Sequence, residues 1–285
     1  MKNHQTKLLV DGFVFLEGPR WHEGCLWLSD MWDYVVYRLT TDGRWDVVSK
    51  VPQRPSGLGF LKDGTPIVVS MGDRKLMKIV ASGLVEYADL SAIARGDVND
   101  LVVDPEGRIY VGNFGYDLFG GGEAALANLA MVDVDGSIRV VAEDLDFPNG
   151  VVIKDGGETL VVAETWSNRL TAFKRSSDGS LSNRRVYADM GERSPDGICI
   201  DREGGIWVSC FNTGEFVRVL DGGKITDRVF CEGKRAVACQ LGGDDGRTLF
   251  CCTFAGELED IHNRKRAGAV ETLRVDVPGV GFPEA

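Results

Sequence analysis

Glu17, Ser56, Asn99, Asn149 and Asp196 each place a short oxygen-bearing side chain beside Gly, Pro or Asp, just ahead of an apolar run. The local sequences are Glu17-Gly18-Pro19, Pro55-Ser56-Gly57, Val98-Asn99-Asp100, Pro148-Asn149-Gly150 and Pro195-Asp196-Gly197, and a sixth start carries Ala236-Val237. Turn formation alone does not call for that regularity. If the runs are arranged around an axis, two carboxylates and two amides meet at one mouth. Convergent oxygens of that kind bind a hard divalent cation and leave room for water. The net charge of -11 would draw such a cation in, and it argues against nucleic acid or an anionic membrane as a partner.

The elements that must position these residues form a repeat. An apolar run, an Asp-x-x-Gly turn and a second apolar run recur at residues 101–111 and 198–208, with variants at 20–28, 58–69, 152–162 and 239–250. Six units spaced by roughly 37 to 50 residues fall in the range of propeller blades. The expected fold is therefore all-β, a six-bladed β-propeller with a central channel, made of one domain over residues 1–285. The 36 glycines and the pairs Asp42-Gly43, Asp135-Gly136 and Asp178-Gly179 supply the hairpins that many short strands need. Residues 7–10 and 270–277 lack units of their own. Both are predicted in the last blade, so that the N-terminal strand closes the ring and leaves no free edge. Residues 115–128 form the longest insertion, either a lid over one mouth or a surface loop. Residues 90–95 and 124–128 are each expected to make one turn of helix.

A chain of 285 residues with 44% apolar and 26% charged residues can bury a large core. No run is long enough for a membrane span, and residues 1–10 lack the apolar stretch of a signal peptide, so a cytoplasmic location is expected. The seven cysteines have no C-x-x-C spacing and read as buried small hydrophobes in a reducing compartment. Of the histidines, His4 is expected to be frayed, and His22 and His262 to lie on the surface. No G-x-S-x-G elbow or P-loop is present, which disfavours serine-triad and phosphate-transfer chemistry. Trp21, Trp27 and Trp207 read as core. Trp32, Phe114, Tyr116, Trp166 and Phe211 follow the inner strands and serve either the core or a pocket wall.

The motifs Leu16-Glu17-Gly18-Pro19-Arg20-Trp21, Asn99-Asp100-Leu101-Val102-Val103-Asp104-Pro105-Glu106-Gly107-Arg108, Phe147-Pro148-Asn149-Gly150-Val151 and Ser194-Pro195-Asp196-Gly197 occur in that order. With Ala238-Cys239-Gln240-Leu241-Gly242-Gly243 they resemble, over nearly the whole chain, the family of senescence marker protein 30, gluconolactonase and luciferin-regenerating enzyme. The resemblance implies a propeller holding one divalent cation, usually Ca²⁺, with Zn²⁺, Mn²⁺ or Mg²⁺ as alternatives. Glu17, Asn149 and Asp196 would ligate it, and Asn99 would be a fourth ligand or a substrate contact. The implied activity is hydrolysis of a lactone, a carboxylic ester. A metal-dependent phosphotriesterase and a non-catalytic interaction propeller with a structural cation are the alternatives.

In the lactonase reading the cation polarises the carbonyl, Asp196 accepts a proton from water, and Glu17 is mainly a ligand. Asp100 or a hydroxide on the cation are alternative bases. Asp97, Asn99, Asp100, Trp32, Phe114, Tyr116 and Trp166 are candidate substrate contacts. Sugar-lactonase relatives often carry Arg where this chain has Asp97, and Gly-Thr-Met where it has Gly112-Asn113-Phe114, so a less hydroxylated or broader lactone range stays as open as a sugar lactone. The expected partner is a small-molecule lactone, and the protein is expected to be a monomer or homodimer.

Overall fold

The computed structural model describes residues 1–281. Its strands form six sheets arranged as the blades of a propeller, each built outward from one inner strand. The inner strands are Leu16–His22, Pro55–Phe60, Val98–Val103, Pro148–Lys154, Pro195–Ile200 and Arg235–Gly242. Each touches the next, and the sixth touches the first, which closes the ring. Within every blade the four successive strands counted from the centre run antiparallel. In the third blade, Gly107 N donates to Asp104 O (2.9 Å), and the Asp104 carboxylate takes the Arg108 amide (2.8 Å).

Closure happens as the sequence suggests. Lys7–Phe13 is the outermost strand of the sixth blade, antiparallel to Gly268–Arg274. One step was not foreseen: Lys2–His4 runs on as a fifth strand of the neighbouring blade, parallel to Ile225–Phe230. His4 is accordingly not frayed, since its Nε2 lies 2.9 Å from Asp227 Oδ1. The amino terminus thus ties two blades together.

All inner strands share one irregularity. Their ladders slip near the start, between Glu17 and Arg20, Pro55 and Leu58, Val98 and Leu101, Pro148 and Val151, Pro195 and Ile198, and Ala236 and Ala238. A bulge re-aims the side chains beside it, and here it does so once per blade at the same height. The residue after each oxygen-bearing one faces the adjoining blade. A Cβ on Gly57 would stand 2.6 Å from Leu101 N, and one on Gly197 would stand 2.6 Å from the Ala238 methyl. Glycine beside the oxygen is therefore a packing requirement: it lets neighbouring inner strands approach until their second side chains can meet.

The core lies between the blades rather than inside the ring. Val102 and Tyr110 of the third blade pack on Val151, Ile153, Val162 and Phe173 of the fourth. The cysteines are all free, and all but the half-buried Cys25 are buried, as the apolar reading expects. Among the described residues no helix is long and apolar enough to cross a membrane.

Of the two expected helical turns, one forms and one does not. Ala94 N and Ile93 N both donate to Leu90 O (2.8 and 3.0 Å), which closes one turn at residues 90–94, whereas Ala127 and Asn128 belong to the strand Ala127–Val132, where Ala127 pairs with Leu145 on the next strand. A short helix forms instead at Leu258–His262, opened by a reciprocal pair in which Glu257 and Asp260 each cap the other's backbone amide.

Replacing Gly57 by Ala should cost about 1–3 kcal/mol of stability, because backbone opposes the added methyl. A lower urea midpoint without a change of slope is the expected result. An unchanged midpoint would contradict the close approach.

Candidate functional site

The second residues of four inner strands, Glu17, Asn99, Asn149 and Asp196, line a cavity of about 310 Å³. All four are buried. Ser56, at the same place in the second blade, stays out of the cavity and donates its hydroxyl to Asn99 Oδ1 (3.2 Å). In the sixth blade Ala236 contributes nothing polar. The repeat thus delivers four oxygen-bearing groups to one floor, joined there by Thr165.

Hydrogen bonds hold part of this set and leave part unused. Asn149 Nδ2 donates to Asp196 Oδ1 (2.5 Å) and to Thr165 Oγ1 (3.3 Å), and the Thr165 hydroxyl donates to Pro195 O (2.8 Å). Asn149 Oδ1 is buried with no partner, and so is Asn99 Nδ2. A buried amide oxygen normally finds a donor. Here it lies among carboxylates that have none to give.

Electrostatics point the same way. The Glu17 carboxyl is pushed well above its usual range, first by burial, then by the negative charges of Asp196 and Asp100. Burial also pushes the Asp196 carboxyl well up; the Asn149 amide pulls it back only in part. Among the described residues no three His, Cys, Asp or Glu side chains are grouped to hold a metal ion. The donor set is instead two carboxylates and an orphaned amide oxygen, with a second amide whose oxygen a half-turn of the Asn99 side chain would present. That is hard-oxygen chemistry, and it fits a Ca²⁺-like cation rather than a thiophilic one.

The walls differ sharply from the floor. Phe114 stacks on Phe147 with centroids 4.5 Å apart, and Phe147 meets Trp166 at 4.9 Å. Phe114 also touches Phe119 (5.8 Å), which meets Trp32 edge-on (5.4 Å), and Trp32 meets the ring of His262 (4.8 Å). Phe147 holds a left-handed backbone, φ +59°, which is uncommon for a bulky residue and marks a position held in place by its surroundings.

Of the candidates read from sequence, Glu17, Asn99, Asn149, Asp196, Trp32, Phe114 and Trp166 line the cavity. Asp97, Asp100 and Tyr116 do not. Asp100 is buried, and Arg20 Nη2 from the first blade donates to its Oδ1 (2.8 Å), so it is placed to anchor Arg20 rather than to act as a base. Asp97 is paired with Arg54. Tyr116 stands behind Trp166 and accepts the indole N–H on its hydroxyl (3.2 Å).

The sequence reading missed Phe15, Met31, Leu118, Phe119, Phe147, Thr165, Leu258, Ile261 and His262 as lining residues. A signal existed for two of them. Phe15 and Phe147 both stand two residues before the oxygen-bearing one, at equivalent points of their repeats. His262 is exposed, as expected for a surface residue, yet its ring forms part of the rim.

Comparison with known proteins places this geometry. The profile of the SMP-30/Gluconolactonase/LRE-like region matches residues 15–255. A regucalcin of Danio rerio is 33% identical over 72% of this chain and 70% of its own length. A pentonolactonase of Haloferax volcanii is 25% identical over 94% of this chain and 92% of its own. Among solved structures, a calcium-binding regucalcin of Agrobacterium tumefaciens superposes with a TM-score of 0.83 at 22% identity, covering 99% of this chain and 98% of that one.

Raised carboxyls make a signed prediction. With Asp196 lifted above its unfolded value, the metal-free folded state binds more protons than the unfolded one. Stability from this source is present at low pH and is lost as pH rises from about 4 upward. In chelator-treated protein, Asp196→Asn should therefore gain thermal stability over the parent increasingly as pH rises. A gain that shrinks with rising pH would contradict the burial of an uncompensated carboxylate.

Proposed function

The chain belongs to the SMP-30/gluconolactonase/LRE-like family, and from that premise we propose that it is a cation-dependent lactonase, adding water across the ester bond of a cyclic ester. The observation that carries this reading is the meeting of Glu17, Asn149 and Asp196 at the floor of a cavity, with Asn149 Oδ1 left without a donor. Glu17, Asn149 and Asp196 would hold one divalent cation, Ca²⁺ by the hard-oxygen donor set, with Asn99 beside them. When bound, the ion would supply Lewis-acid polarisation of the carbonyl and stabilise the negative charge that grows on its oxygen.

The residues of the chain supply the rest. Asp196 accepts the proton of the attacking water as the water oxygen bonds to the carbonyl carbon. The ring C–O bond then breaks, and the ring oxygen recovers that proton to leave as the hydroxyl of a hydroxy acid. Burial raises the Asp196 carboxyl and so opposes the acidifying pull that a bound cation would exert. Asn149, held by Asp196 and Thr165, fixes the carboxylate's orientation. Asn99 offers an uncommitted N–H in this arrangement, available to the ring oxygen as it leaves. Aromatic walls keep other water away from the reacting carbon.

A pH-indicator assay on a panel of lactones tests this, with chelator and with Ca²⁺, Zn²⁺, Mn²⁺ or Mg²⁺ returned. Turnover should stop in chelator and recover with a divalent ion. Asp196→Asn should lower kcat by about 10²-fold or more, the usual range for a lost general base, while retaining much of the cation binding. Full activity in chelator, or in Asp196→Asn, would overturn the assignment.

A further inference from the structure

Polar and apolar groups in this cavity are segregated. Beyond Glu17, Asn99, Asn149 and Asp196, the lining is aromatic and aliphatic apart from Thr165 and His262. Three other polar groups standing at these walls are already committed. The Thr165 hydroxyl donates to Pro195 O (2.8 Å), and Trp166 Nε1 to the Tyr116 hydroxyl (3.2 Å). Arg54 is paired with Asp97 and covered by the rings of Phe119 (4.4 Å) and Trp32 (5.5 Å). His262 sits at the edge with its ring against Trp32 and Phe119. Hydroxyl groups around a sugar lactone would face carbon along most of this wall, and each polar group desolvated without a partner opposes binding.

The open edge carries a second, independent sign. Trp166 and Leu258 both line the cavity yet remain 48% and 54% exposed, leaving apolar surface uncovered beside a polar floor. At about 310 Å³ the cavity is at the small end of the usual ligand range of roughly 300–1,000 Å³. It suits one ring with a short appendage.

From these features we infer that the substrate is a lactone bearing an apolar alkyl or aryl substituent, rather than a polyhydroxylated one. Its ester end sits at the carboxylate floor and its substituent lies against Phe119, Phe147 and Trp166. The inference rests on the lactonase reading and specifies its substrate class.

The test compares kcat/KM for six-membered lactones, each corrected for its rate of alkaline hydrolysis: δ-valerolactone, pentyl-bearing δ-decalactone, benzo-fused dihydrocoumarin and glucono-δ-lactone. A buried methylene is worth about fourfold, so δ-decalactone should exceed δ-valerolactone by tenfold or more. Glucono-δ-lactone should fall below both. Trp166→Ala, at an exposed position, and Phe119→Ala should each reduce the decalactone-to-valerolactone ratio severalfold, mainly through KM. A ratio near one, or a preference for glucono-δ-lactone, overturns the substrate class while leaving lactone hydrolysis standing.

Calorimetric binding of the unhydrolysed analogues piperidone and pentyl-substituted piperidone separates binding from turnover. Tighter binding of the pentyl compound by tenfold or more supports the apolar subsite even if no lactone is hydrolysed, an outcome that counts against the reaction alone. Equal affinities, or no binding of either compound, overturn the inference.

Discussion

Glu17 and Asp196 are buried within each other's electrostatic reach, and the rest of the structure follows from that placement. An ionised carboxylate taken out of water loses several kcal/mol of solvation, and a second one beside it adds repulsion. The cationic side chain near them, Arg20, is held by Asp100 and by Leu101 O. Protonation or a bound cation are the two ways to relieve such a pair. Asn149 Oδ1, buried without a donor, favours the second, because a proton on Asp196 would do nothing for the amide oxygen.

Bringing the two carboxylates together depends on the ring. Glu17 belongs to the first blade and Asp196 to the fifth, and only a closed propeller makes their strands neighbours of one axis. Two local devices do the fine placement. The slipped ladder at each inner strand re-aims the second side chain, and glycine at the next position lets the adjacent strand come close. Asp100 and Val237 are the exceptions to glycine, and Asp100 has its own partner in Arg20. The position two residues before each oxygen then sets the rim: Phe15 and Phe147 line the cavity, whereas Arg54 and Asp97 pair with each other across neighbouring blades. One repeat thus specifies frame, floor and wall separately.

Much of this was legible in the sequence because it depends on period and on turn chemistry. Six units, the closing of the last blade by the amino-terminal strand, and four of the floor residues follow from aligning the repeats, although Ser56, aligned with them, stays out of the cavity and Thr165 carries no repeat signal. What escaped was set by contacts between residues distant in the chain. Asp100 reads as a candidate base until Arg20, eighty positions away, is seen to hold it. Tyr116 and Asp97 sit behind the wall because each is drawn to a partner, Trp166 or Arg54, that the local sequence does not announce. The strand at Lys2–His4 is made by a partner more than two hundred residues on, and a three-residue segment carries no periodicity from which to infer it. The helix Leu258–His262 is too short for a helical pattern, and its cap begins with Glu rather than the usual Ser, Thr, Asp or Asn.

The central claim is that side chains from separate blades share one ion, and it is tested most directly by a crystal structure grown with Mn²⁺ and measured at the manganese absorption edge. The account predicts one strong anomalous peak at the channel mouth, within ligand distance of carboxylate oxygens of Glu17 and Asp196 and of Asn149 Oδ1. A peak elsewhere, or none at that position with Mn²⁺ in excess, would contradict it.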